Sequence, residues 1–187
     1  MTTGISRKTL WNEAAKAGLI LGIATIACVE LNGLMPKIIS SGVLLGVVNV
    51  LLWIVKFAGC IYLMRYFMKK LVTDYPDANN TSTRRFGEAV ALLSAFLYAA
   101  FVLVDGLYIN PDAITESLDA ALSSYSSMLT SEQADMLQNI NFPVLSFFST
   151  LIYCALYGTI LSTILSRNIP ERKSIFDEGT DNDPDEQ

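Results

Sequence analysis

The stretch 86-FGEAVALLSAFLYAAFVLVDGLYI-109 opens a region that runs through 142-FPVLSFFSTLIYCALYGTILSTIL-165 and ends at Ser166 without one lysine or arginine. All 13 basic residues lie outside it. Basic loops resist translocation across a bilayer, so such a gap in a membrane protein marks what crosses and what lies beyond. A hydrocarbon core of about 30 Å needs about 20 helical residues, and both quoted runs supply them. Working outward, two further apolar blocks, roughly residues 14–34 and 38–67, are long enough as well. The chain has 187 residues, 52% of them hydrophobic, and a mean hydropathy of +0.41. The expected fold is all-α: a polytopic membrane protein with four transmembrane helices and a periplasmic helical hairpin between helices three and four.

Topology follows from where the cations sit. Arg7, Lys8 and Lys16 precede or open the first block. Arg65, Lys69, Lys70, Arg84 and Arg85 flank the second connection, and Arg167, Arg172 and Lys173 follow the fourth block. Eleven of the 13 thus fall on one side, with Lys37 opposite and Lys56 within a span. The positive-inside rule then sets both termini in the cytoplasm. Met35-Pro36-Lys37 is expected to be the first connection, so short that helices one and two must be antiparallel neighbours. Residues 169–187, with six acids among the last eleven, are expected to form a disordered cytoplasmic tail.

Small residues recur every four positions in each block: Ala14, Gly18 and Gly22; Gly42 and Gly46; Gly87, Ala91, Ala95 and Ala99; Cys154, Gly158, Ser162 and Ser166. Lipid tails are as apolar as leucine, so helices in a bilayer associate through close packing along such stripes. The outer segment 110–141 is also patterned. Asn110-Pro111-Asp112 is a helix start, and Ile114, Leu118, Leu122 and Tyr125 follow at helical spacing, a stripe suited to docking on the membrane domain or on a partner. Thr130 with Gln133 resembles a capping box for a second short helix.

Charges at bilayer depth are functional candidates by default, and four stand out. Lys56 lies within the second span, where it either snorkels toward the inner interface or pairs with Glu88 or Glu30. Glu88 is one turn inside the third span, Glu30 is near the outer end of the first, and Asp105 is near the outer end of the third. Together they describe a polar path, with an internal salt bridge and interfacial acids as the plainer reading. No catalytic constellation is visible. The chain has no histidine, which removes the commonest general base and metal ligand. Cys28, Cys60 and Cys154 match no metal or redox spacing and read as small apolar residues. Tyr153 and Tyr157 read as packing. No cofactor or metal is expected, and no basic face suited to nucleic acid is present.

Glu13-Ala14-Ala15-Lys16-Ala17-Gly18, Phe86-Gly87-Glu88-Ala89, the Asn110-to-Asp112 step, the amphipathic acidic insert and the last helix rich in phenylalanine and serine carry a family resemblance over residues 10–168. The layout resembles small Gram-negative membrane proteins catalogued as a domain of unknown function, number 4199. The resemblance implies an inner-membrane four-helix protein without recognised catalytic residues. Members are often encoded beside a membrane glycosyltransferase, which implies an accessory role in envelope sugar-lipid work. The expected function is therefore a non-enzymatic accessory or scaffold subunit, its partners being membrane lipid and a glycosyltransferase-like membrane protein or a second copy. The alternative is a small transporter or channel subunit using Glu30, Lys56 and Asp105.

Overall fold

The structure, a computed structural model, describes residues 5–76, 78–112, 116, 120, 123, 124 and 140–169. Four helices among these are long and apolar enough to cross a bilayer. They are α1 (Arg7–Ile38), α2 (Gly42–Asp74), α3 (Asn80–Val104) and α4 (Phe142–Arg167), with a π-helical turn at Asp105–Ile109 prolonging α3. The expected docking stripe Ile114, Leu118, Leu122 and Tyr125 lies outside the described residues, as does the acidic tail from 170 onward. Of the outer segment, Pro111, Asp112, Glu116, Ala120, Ser123 and Ser124 are helical.

Two connections differ from the sequence reading. α1 continues through Pro36 to Ile38, so the turn is made by residues 39–41 rather than by Met35–Lys37. Proline removes one backbone donor, but so near a helix end the next turn still closes, with the Ile39 N–H donating to the Met35 carbonyl at 2.9 Å. The second connection also shrinks. The stretch 73–82 reads as turn chemistry, yet α2 runs to Asp74 and α3 starts at Asn80, six residues before the expected Phe86. Asn79 is the reason: its side-chain oxygen accepts from the Ser82 N–H at 2.8 Å, and the Thr83 hydroxyl donates to its carbonyl at 3.0 Å. A residue type that favours turns here caps a helix. Asn79→Ala is expected to cost about 1 kcal/mol, measured as a lower unfolding midpoint in bicelles, whereas Asn79→Asp should keep most of it. At the other end Asn141 caps α4 by accepting from the Val144 N–H at 3.3 Å, with Pro143 in the first turn.

α3 is the spine. It packs against α1 on one side and α4 on the other, while α2 leans mainly on α1. Three of the four small-residue stripes converge on this spine. A side chain at Gly18 would meet Leu93 Cβ at 2.9 Å and the Val90 carbonyl at 3.2 Å, and one at Gly22 would meet Leu97 Cδ2 at 2.7 Å. Gly158 lies directly against Ala91, and Gly87 against Ser162 and Met68. Ser162 is fully buried, and its hydroxyl donates across the seam to the Arg84 carbonyl at 2.9 Å. The fourth stripe stays unpaired, since nothing lies within 4 Å of a Cβ at Gly42 or Gly46.

The main hydrophobic cluster sits at one end, with only alanines of α3 (Ala95 and Ala99) buried beyond it. Leu10, Ala14 and Ala17 of α1 meet Met64, Met68 and Leu71 of α2, Phe86 and Val90 of α3, and Leu165 of α4. Ile169, one residue into the stretch assigned to the tail, is buried against the same cluster. This is the end that carries Arg65, Lys69, Lys70, Arg84, Arg85 and Arg167. α2 has 33 residues, about 50 Å of helix, well beyond a core of about 30 Å. Its last third builds the tight end, and its first third leaves the bundle, with Val43, Val47, Val50 and Leu51 exposed.

Candidate functional site

Where α2 begins to part from the bundle, a cavity of about 110 Å³ opens among all four helices. α1 contributes Leu21 and Thr25, and α2 contributes Lys56, Phe57, Cys60 and Met64. α3 brings Ala91, Ser94, Ala95 and Tyr98, and α4 brings Tyr153, Cys154, Tyr157, Gly158 and Leu161. Each set repeats at three or four residues, as one helix face must. Met64, only 1% exposed, closes the floor toward the basic end. Tyr153, at 63% exposed, stands on the outside between α2 and α4, two helices that barely touch. Phe57 and Tyr157 bridge them edge to face, with ring centroids 5.6 Å apart, and Trp53 leans on Phe57 at 4.5 Å.

Among the described residues Lys56 is the only charged one lining the cavity. It lies about 20 Å along α2 from Gly42 and about 13 Å from Arg65, so it stands far from either end of the span. Its Nζ lies 5.5 Å from the centroid of the Tyr98 ring. The remaining polar lining is neutral, and part of it is already committed. The Thr25 hydroxyl donates to the Leu21 carbonyl at 2.8 Å, and Ser94 to Ala91 at 3.0 Å. With the Thr25 proton so used, the Cys60 thiol is the donor across the α1–α2 contact, at 3.7 Å. All three cysteines are free. Among the described residues no three histidine, cysteine, aspartate or glutamate side chains gather as a metal-binding group.

The four charges singled out from sequence do not meet. Glu88 pairs with Arg84 at 2.9 Å, one turn away on its own helix, rather than with Lys56. Both are substantially exposed, so this pair adds well under about 1 kcal/mol. Glu30 is exposed on α1. Asp105 accepts from the Asn110 amide at 2.7 Å, tying off the π-helical turn whose backbone closes from the Asn110 N–H to the Asp105 carbonyl at 2.8 Å. The internal salt bridge expected for Lys56 is therefore not formed among the described residues, because each of those acids lies elsewhere. The polar path shrinks to one cation.

Sequence reasoning missed the rest of this lining. Tyr157 and Cys154 read as packing, and nothing in the sequence marks Tyr98 or Ser94 as lining a site. One signal was present: Lys56 and Cys60, Ser94 and Tyr98, and Cys154 and Gly158 each stand four apart. What that spacing omits is which faces confront one another.

A lysine at the centre of a spanning helix costs about 2.5–3.5 kcal/mol on insertion scales, and one cation–π contact returns about 0.5–2 kcal/mol. Lys56→Met is therefore expected to stabilise the purified bundle by about 1–2 kcal/mol, read as a higher denaturation midpoint in bicelles. A lower midpoint would mean that the amine has a partner that stabilises it. No family model, curated protein or solved structure matches this chain.

Proposed function

We propose that this chain is a multi-pass protein of a bacterial inner membrane that works as a non-enzymatic accessory or scaffold subunit for an envelope glycosyltransferase. Both termini and the basic end face the cytoplasm in this reading, and a helical hairpin between α3 and α4 lies in the periplasm. The distribution of lysine and arginine supports the orientation, and the family resemblance supports the accessory role.

The observation that carries the docking reading is the outer third of α2. Every other small-residue stripe is pressed against a neighbouring helix, while Gly42 and Gly46 have open space before them and exposed Val43, Val47 and Val50 beside them. A face of small and β-branched residues lets a second backbone approach closely, and a transmembrane helix of the partner is its occupant.

Two experiments test this. In a cysteine-free background, Ser123→Cys is expected to react with an impermeant reagent on intact cells and Ser174→Cys only after lysis. Equal labelling would overturn the orientation. For docking, affinity purification in mild detergent is expected to recover a stoichiometric membrane glycosyltransferase with the native chain and none with Gly42→Leu/Gly46→Leu. Recovery of the chain as a monomer, or paired only with itself, counts against the accessory role.

The alternative, a small transporter or channel subunit using Glu30, Lys56 and Asp105, draws support from one observation, the four-helix cavity around Lys56. A phenotype lost on neutralising each of the three charges would favour it over docking.

A further inference from the structure

The cavity around Lys56 has the makings of a ligand site, independently of any docking partner. We propose that it binds the carboxylate of a long-chain fatty acid or similar single-headed amphiphile, which enters sideways between α2 and α4 and leaves its chain in that cleft.

Charge argues for an anion. Among the described residues no carboxylate lines the cavity; the ammonium of Lys56 lies over the Tyr98 ring and shares the lining with Cys60, Cys154 and neutral hydroxyl groups. A cation in a low-dielectric site is satisfied best by an opposite charge with hydrogen-bond contact. One fixed cation matches a single negative charge. A phosphomonoester would bring a second charge with nothing to meet it.

Size agrees. The cavity, about 110 Å³, has room for a carboxylate and its first methylenes, with the rest of a longer molecule left to the open side. Donors remain for the second oxygen. Thr25 and Ser94 have given their protons to backbone carbonyls, but the Tyr98 hydroxyl has no hydrogen-bond partner among the described residues.

The shape of the opening argues for a tail. The floor is sealed by Met64, and the open side faces the bilayer past Tyr153, where α2 and α4 are held together by little more than the Phe57–Tyr157 ring contact. Apolar Phe57, Leu161 and the exposed flank of α4 at Leu156 and Ile160 then offer a track for an acyl chain.

The test uses the full-length chain in phosphatidylcholine nanodiscs with palmitate bearing a diazirine close to its carboxylate. Photolabelling is expected to concentrate on the cavity residues of α2 and α4. Unlabelled palmitate should compete, whereas methyl palmitate, equally apolar but uncharged, should not. Lys56→Met should cut labelling of these residues by about tenfold, the factor lost with one charge-assisted hydrogen bond, and Lys56→Arg should retain it. Equal competition by the ester, labelling spread evenly over the four helices, or unchanged labelling of Lys56→Met would overturn the proposal. Displacement by millimolar acetate would assign the site to a free anion and overturn the amphiphile. The acid-against-ester comparison needs no variant, so it decides even where a substitution impairs folding.

Discussion

Leucine in place of Gly158 is expected to separate α4 from α3 and to cost about 3 kcal/mol or more. Gly158 lies against Ala91 with no room for even a methyl group, so the helix axes must move apart before any larger side chain fits. Moving them forfeits the dispersion contacts that hold helices together in lipid. It also draws Ser162, one turn on, away from the Arg84 carbonyl it reaches at 2.9 Å. Gly158→Ala is the graded control and should lose about 1 kcal/mol. Gly46→Leu is the neutral control, within about 0.5 kcal/mol, because nothing stands within 4 Å of its Cβ position. Unfolding by SDS from bicelles measures all three. Equal effects at Gly158 and Gly46 would mean that the α3–α4 seam does not organise the bundle.

Met68→Ala is the second large effect, expected to cost about 2–5 kcal/mol. Met68 is completely buried where α2 meets the bundle, and its terminal methyl faces the Gly87 position between α3 and α4. Truncating it leaves a void that the two glycine-lined helices cannot easily close, since their backbones are already in contact. Because α2 is fastened chiefly at this end, the loss should fall on α2 alone. Amide exchange should rise along Met64–Val72 and stay low at Ala91 and Ala95 of α3. Leucine at the same position, similar in volume, should recover most of the stability.

The contrast between these two positions shows how far the sequence could be read. The four-residue repeats marked Gly158 and Gly18 as packing positions, and both are. The same repeat marked Gly42 and Gly46, and these have no partner within the chain. Periodicity identifies a face fit for close contact but carries no record of whether another helix arrives there. Lys56 gives the same lesson for charge. Its place within an apolar run was plain from composition, while its pairing with Glu88 or Glu30 is not formed: Gly87 beside Glu88 packs on Met68, about 18 Å along α2 from Lys56, and Glu30 is exposed on α1.

Capping shows the reverse. Asn79 and its neighbours belong to turn-forming types, and local competition between a turn and a helix start cannot be settled from residue type. Burial of Thr83 and Phe86 against the basic-end core selects the helix start, since that burial is available only if the first turn of α3 forms.

By itself the sequence determined that four helices among the described residues are long and apolar enough to span a bilayer, how they follow one another, and the end at which the cations gather. These follow from run length against bilayer thickness and from the desolvation of charge, properties of single segments that need no neighbour. Only the tertiary structure decided that α3 is the spine, that the main core cluster sits at the basic end, and that α2 leans away to open a cavity around a lysine with no acidic partner among the described residues. Those outcomes depend on which helix faces meet and at what rotation, and the sum of many small contacts sets that choice once all four helices are present.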